Sequence, residues 1–375
     1  MANTNILYHS VVPQNEKLNY SENEQVDFLI DFPGRKIVPG SIRLESIYNV
    51  FKTGTNQNNL SGLCLDPQAG AHCFIESITV ETAQQGVIEV ITSDYARYVK
   101  MKNQATKDSL GMYSANSNCE IISTDSRIAN LKTQLKHNIN DTNKLDLSND
   151  FSIKPLICVN NIQGGNLSYL KSGYVKLTFN LARAVQAFQG GGMADTAAVT
   201  ADYQLSNLRI KFQSVPEDNN NPPLSLNTIY IVKQSITSSS ANVSSKVPAV
   251  CSGFVGSFGL VNDENAAVSN GHKTHQPPGM SEIRVLFNDA SNQLLTYNLR
   301  NPNDMIQKGR AAFGNLERNQ CQNNNIGTLD GGFIVGASFD NLVNLTNNKI
   351  NFQIDSGISA DAYLVYLYFM GVFQL

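Results

Sequence analysis

Between residues 203 and 215 apolar and polar side chains alternate. Tyr203, Leu205, Leu208, Ile210 and Phe212 are the apolar ones, with one slip of phase at Ser206 and Asn207. A period of two sends successive side chains to opposite faces and predicts a half-buried strand. Residues 216–223 follow with three Asn, three Pro and no large apolar side chain. Proline cannot donate to a sheet and stiffens an extended connector. A strand running into such a connector near mid-chain predicts two β-domains, set against the simpler picture of one sandwich with a long polar loop.

The same reading predicts strands at 25–32, 41–51, 73–80, 87–91, 151–159 and 173–181 in the first half. The stretch 41–51 alternates at Ile42 and Leu44 and then, after a phase slip, at Ile47 and Tyr48. Turns are expected at Gln84–Gly86 and Gly164–Gly165, and loops at 52–71 and 190–201. One helix is predicted from Ser93 as its cap, with Asp94 in the first turn and Tyr95, Tyr98, Val99 and Lys102 at spacings of three and four. Residues 103–150 carry few periodic apolar positions and much Asn, Ser, Asp and Lys, which predicts an excursion projecting from the domain. Residues 1–20 read as an N-terminal arm, either tied to another subunit or disordered.

The second half repeats this order. Strands are predicted at 226–236, 250–261, 283–287, 294–299, 333–335, 349–354 and 362–369, with the glycines of 250–261 marking bulges or close packing. A helix is bounded by Asn301 as cap, Pro302 in its first position and Gly314 past its end, burying Met305, Ile306, Ala312 and Phe313. The Lys-initiated strand at Lys176, Leu177, Phe179 and Leu181 matches the one at Lys349, Ile350, Phe352 and Ile354. The closing strand from Tyr203 to Phe212 matches that from Tyr363 to Phe369. The expected organisation is all-β: an arm at 1–20, a first sandwich at 21–215, a linker at 216–224 and a second sandwich at 225–375, each sandwich with about eight strands and one helix.

Composition agrees. Of the 375 residues 41% are hydrophobic and only 16% charged, a deficit filled by Asn, Gln, Ser and Thr, which favour turns and strand faces over helices. A net charge of -3 gives no basic nucleic-acid surface. The N-terminus has no signal-peptide pattern and no run approaches a membrane span. The six cysteines, Cys64, Cys73, Cys119, Cys158, Cys251 and Cys321, form no CxxC pair and read as reduced, mostly buried thiols. Asn-x-Ser/Thr sequons begin at Asn19, Asn59, Asn140, Asn166, Asn242 and Asn344, a number expected by chance in so polar a chain.

Candidate chemistry is sparse. His272 and His275 offer two zinc ligands at most, and a solvated loop accounts for them as well. The glycine runs at 189–192 and 330–332 lack the Lys and Ser of a phosphate loop. Ser257 is not framed as a nucleophile elbow. The carboxylates Asp94 and Glu89, or Asp263 and Glu264, serve as acid and base only if they converge on a substrate. Tyr363, Tyr366 and Tyr368 read as core or subunit interface rather than a stacking platform. No catalytic, cofactor-binding or metal residue is therefore assigned, and no cofactor is expected.

Several stretches resemble the double jelly-roll major capsid proteins of double-stranded DNA viruses, the adenovirus, tectivirus, virophage and polinton-like lineages. They are residues 244–250 ahead of the Gly/Phe strand, 282–288 leading through 299–302 into the helix, the tail 344–369, and 203–210 in the first half. The resemblance implies two tandem eight-stranded jelly rolls and no enzyme activity. It implies a homotrimeric capsomer of pseudo-hexameric outline that tiles an icosahedral shell. Neighbouring capsomers, penton and minor or cement proteins and an internal membrane are the implied partners, without sequence-specific nucleic-acid binding. Such a protein resides in the virion capsid, made and assembled inside the host cell. The competing expectation is a secreted double jelly-roll glycan-processing enzyme, a hydrolase or amidase, or a carbohydrate-binding module.

Overall fold

The structure is a computed structural model. It describes residues 5–52, 64–66, 69–106, 147–189, 201–218, 220–236, 240–247, 249–261, 272, 274, 282–288, 292–298, 308, 312, 334–355 and 363–375. The chain divides into two compact units whose main boundary falls between Thr228 and Ile229; the first unit also takes in Phe373–Leu375 and the second also takes in Lys100–Gly111.

In the first unit the strands are β1 (Leu7–Val11), β2 (Asn19–Ser21), β3 (Gln25–Ile30), β4 (Arg35–Ile37), β5 (Arg43–Lys52), β6 (Cys64–Leu65), β7 (Ile75–Thr82) and β8 (Gly86–Ile91). Helix α1 (Tyr95–Thr106) comes next. After it come β9 (Leu147–Ile153), β10 (Ile162–Gln163), β11 (Leu167–Ser168), the short helix α2 (Tyr169–Ser172), β12 (Val175–Leu181), helix α3 (Ala184–Ala187), β13 (Phe188–Gln189) and β14 (Ala201–Pro216). One sheet runs β11-β4-β14-β5-β9, with β1 and β2 added along β14, and the other runs β3-β12-β7-β8.

The remaining strands are β15 (Ser225–Ile236), β16 (Ser240–Ser245), β17 (Val250–Leu260), β18 (Glu282–Phe287), β19 (Asn292–Asn298), β20 (Val335–Asn344), β21 (Ile350–Asp355) and β22 (Tyr363–Gln374). β15 straddles the boundary: its Ser225 and Leu226 pair with Gln163 and Ile162 of the first unit. Within the second unit one sheet runs β15-β22-β17-β20 and the other β16-β21-β18-β19.

The two units share one topology. In each, the sheet neighbours are the first, fourth, second and third of its strands in chain order: β3-β12-β7-β8 corresponds to β16-β21-β18-β19. The opposing sheets agree likewise, β1/β2-β14-β5-β9 with β15-β22-β17-β20. The chain passes between the sheets in the same sequence both times. This is the doubled Greek key of a jelly roll. The strands paired by sequence, β12 with β21 and β14 with β22, hold the same places in the two folds.

The cores follow the alternation. β12 buries Val175, Leu177, Phe179 and Leu181 and turns Lys176, Thr178 and Asn180 outward. In the first unit Phe74 lies among Tyr48, Phe151, Phe188 and Tyr203, with ring centroids between 4.8 and 5.9 Å away. In the second, Phe254, Phe352 and Phe369 stack edge to face within a cluster that includes Val285, Leu345 and Val365.

Of three local expectations one holds and two are corrected. The slip in β14 is real: Asn207 has a φ of 51° and the pairing with β5 shifts between Ser206 and Arg209. The slip expected in β5 is absent. Ile42, Leu44, Ser46 and Tyr48 all point inward, and the Ser46 hydroxyl meets the carbonyl of Ser206 at 2.8 Å. A polar side chain there satisfies the backbone that the β14 bulge leaves open. Ser93 does not cap α1 through the helix backbone; its hydroxyl donates to the Asp94 carboxylate at 2.8 Å. The helix starts after Asp94, which carries a φ of 53°.

The excursion expected at 103–150 is narrower, since α1 continues to Thr106 and β9 begins at Leu147; its middle lies outside the described residues. So do most of the loop at 52–71, the loop at 190–200 and the helix bounded by Asn301 and Gly314, of which Lys308 and Ala312 are described and helical.

Candidate assembly surfaces

The residues offered as chemistry do not converge. Glu89 is buried and accepts a hydrogen bond from the Cys158 backbone N–H at 2.7 Å. Burial and the Glu89 charge push the Cys158 thiol and the Tyr98 hydroxyl well above their usual ranges. Asp94 is buried beside Arg97, at 3.9 Å. Both carboxylates are thus engaged by the chain's own groups. Ser257 is buried at the centre of β17. Tyr363, Tyr366 and Tyr368 are core residues of β22. His272 is buried, while His275, Asp263, Glu264, Asp330 and the glycines 190–192 and 331–332 lie outside the described residues. Among the described residues no group of three His, Cys, Asp or Glu side chains is placed to hold a metal ion.

Cys73, Cys158 and Cys251 are buried, and burial pushes the Cys251 thiol up to about 12. A thiol that cannot ionise and cannot be reached is inert. Cys158 and Cys251 are therefore expected to resist iodoacetamide at neutral pH in the native protein and to alkylate only after denaturant is added, as read by mass spectrometry. Rapid native labelling of either would refute the packing around it.

The surface features are of a different kind. Where the bulge of β14 breaks the sheet face, an open groove of about 300 Å³ is lined by Glu45, Ile47, Asp150, Ser152, Asn207 and Arg209. Glu45 in that groove is held by Lys211 at 2.6 Å and by the Ser152 hydroxyl at 3.1 Å. Exposed large apolar side chains are concentrated elsewhere. Among the described residues five of the eight, Ile6, Leu7, Tyr8, Val12 and Leu18, lie in the N-terminal stretch. β1 in that stretch pairs with β14 of its own chain, Leu7 opposite Ser214 and Val11 opposite Ile210. The N-terminal arm is thus docked as an edge strand with apolar groups facing solvent, the kind of surface that a partner covers.

The connector is tied down as well. Lys36 is 5% exposed and reaches Glu217 at 3.6 Å and Asp218 at 2.5 Å, and it also donates to the carbonyl of Asn220. Glu217 accepts from the Ser168 hydroxyl and the Tyr169 N–H. Leu224 exchanges two backbone hydrogen bonds with Leu375, at 2.9 and 3.0 Å. The Lys36 hydrogen bond holds the Asp218 carboxyl below its ordinary value of 3.8. A depressed carboxyl stabilises docking above its unfolded pKa, and that contribution is lost as pH falls through the folded value. The connector is therefore expected to resist proteolysis from neutral pH down to that value. Lys36→Met should open it to cleavage at neutral pH, and a cleavage rate unchanged in the variant would refute the clamp.

These features sit on a fold with known counterparts. No family model and no curated protein sequence matches the chain. Among solved structures, the Faustovirus major capsid protein aligns over 100% of this chain and 91% of its own, with a TM-score of 0.67 at 8% identity. A chain of the Sputnik virophage structure aligns over 98% of this chain and 86% of its own, with a TM-score of 0.61 at 10% identity. The mavirus major capsid protein gives 98% and 88%, a TM-score of 0.56 and 10% identity. The chain has the double jelly-roll fold of these viral major capsid proteins, over essentially its whole length.

Proposed function

We propose that this protein is a major capsid protein that forms homotrimeric capsomers of pseudo-hexameric outline, the tiles of an icosahedral virion shell. The observation that carries this reading is the doubled topology. One chain holds two jelly rolls with identical strand order, in the manner of capsid proteins that match it end to end. Three such chains present six similar sandwiches around one axis, and a near-hexagonal unit packs a flat facet without gaps. The exposed apolar stretch from Ile6 to Leu18 supports a chain that is partnered in use. The segments expected from sequence as loops, within 52–71 and 107–146, are assigned to contacts between capsomers, and penton, minor or cement proteins and an internal membrane are the further partners.

The net charge of -3 fits a shell whose genome is met by something else. A glycan-processing enzyme would need converging free carboxylates, and Glu45, Glu89 and Asp94 are each held by the chain itself. Negative-stain images of the purified protein are expected to show particles with a hexagonal outline and threefold symmetry. Particles of a single sandwich pair would overturn the reading.

A further inference from the structure

His9 sits on β1 with its ring stacked on Phe212 of β14, centroids 4.5 Å apart and planes 10° from parallel. Its Nε2 is 2.6 Å from the Ser214 hydroxyl. That same hydroxyl oxygen accepts a hydrogen bond from Arg35 Nε, also at 2.6 Å. A serine hydroxyl has one proton. While Arg35 donates to its oxygen, Ser214 can give that proton to His9, and in this arrangement Nε2 is the bare nitrogen of a neutral imidazole. The Arg35 Nη2 group completes the arrangement by donating to the carbonyls of Asn5 and Ser214, at 2.9 and 3.0 Å. One guanidinium thus ties the start of the chain to β14.

We propose that His9 is a protonation-dependent latch for the N-terminal strand: neutral, it holds residues 7–11 on β14, and protonated, it releases them. A proton on Nε2 forces Ser214 to turn its own proton away and places a second cation one hydroxyl from the Arg35 guanidinium. Among the described residues, the charged groups on the neighbouring strands are engaged elsewhere. On β14, Lys211 is paired with Glu45 and Arg209 donates to the Asn207 carbonyl. On β4, Lys36 is turned to Glu217 and Asp218. On β3, Asp27 is engaged by Thr178 and Lys176, and between β1 and β3 Lys17 pairs with Glu24. Burial and the Arg35 charge both lower the His9 pKa from its ordinary 6.5.

The sign follows from linkage. The released strand takes up a proton as pH falls through 6.5, before the docked strand does. Docking is therefore strongest above that pH and weakens below it, until the docked His9 also titrates. Each unit of pKa depression corresponds to about a tenfold shift in the docking equilibrium. The remainder of the strand resists weakly, because Leu7 and Tyr8 are themselves 41% and 78% exposed. Acidification is thus expected to free the apolar segment from Ile6 to Val12 while both jelly rolls stay folded.

The test is hydrogen exchange by mass spectrometry on the full chain, following residues 5–12 from about pH 8 to about pH 5, across the histidine range, with rates corrected for intrinsic exchange. The wild type is expected to lose protection in this segment several-fold, with no loss in β12 or β22. His9→Gln keeps an acceptor for Ser214 but cannot gain a proton, and should show no pH-dependent loss. A wild type whose protection does not change, or an equal loss in both proteins, overturns the proposal. If His9→Gln is unprotected at every pH, the NMR titration of the wild-type imidazole decides. A pKa below 6.5 that coincides with strand release supports the latch, and one at or above 6.5 overturns it.

Discussion

Phe74→Ala is expected to destabilise the first jelly roll by about 3–5 kcal/mol, the cost of a fully buried aromatic removed from a core that cannot close around the gap. Phe74 is 1% exposed. Its ring meets Tyr48 of β5 at 5.1 Å, Phe151 of β9 at 5.8 Å, Phe188 of β13 at 5.9 Å and Tyr203 of β14 at 4.8 Å. Four strands therefore lose a shared contact at once, and Tyr203 is pinned in place by its hydrogen bond to the Ala182 carbonyl. Urea unfolding at fixed protein concentration measures the cost, because mass action in any oligomer otherwise enters the midpoint. Leu18→Ala, at a position 90% exposed, is the control and should change stability by less than about 0.5 kcal/mol. Equal effects at the two positions would mean that Phe74 is not the centre of this core.

Gly253→Val is expected to cost the second jelly roll about 3 kcal/mol, at the upper end for overpacking. A Cβ at Gly253 would lie 2.5 Å from the Ala337 carbonyl oxygen and 3.1 Å from Ser338 Cα. These are backbone atoms of β20, so no side chain is free to swing aside. β17 cannot shift as a whole either, because it is in register with β22 from Gly253 to Leu260 on its other side. The substitution must break pairing with one neighbour. Gly336 faces the same problem from β20, where an added Cβ would lie 2.9 Å from the Phe254 carbonyl oxygen. Reduced expression and a lowered thermal midpoint for Gly253→Val, with Val87→Ala unchanged, is the expected pattern. A variant as stable as the wild type would show that the two strands have room to separate.

The long strands were legible because each has one buried face, and burial forces alternation. β12 and β21 could be paired across the halves for that reason, and so could β14 and β22. The slip at Asn207 showed as two polar residues in succession. The apparent slip in β5 misled because Ser46 points inward for a hydrogen bond, not for burial of apolar area, and a pattern of hydrophobicity cannot register that. β16 was missed because only Val243 marks its buried face among serines and asparagine. β4, β10 and β11 are two or three residues long, too short for any period to appear.

The assembly surfaces were less legible than the core. The arm was apparent as a segment, but its docking on β14 depends on Arg35 and Ser214, which are 179 residues apart in the chain. The connector read as a stiff, extended link, and Lys36 clamps it from 182 residues away. Contacts of this range leave no local pattern. For the same reason nothing in the sequence marks Leu7–Val11, within the exposed stretch, as an edge strand.

The solution mass of the purified protein tests the central claim most directly, by light scattering or mass photometry. Three copies of the 41.0 kDa chain give a stable particle of about 123 kDa, the result that a trimeric capsomer requires. A clean monomer of 41.0 kDa at high micromolar concentration would contradict it.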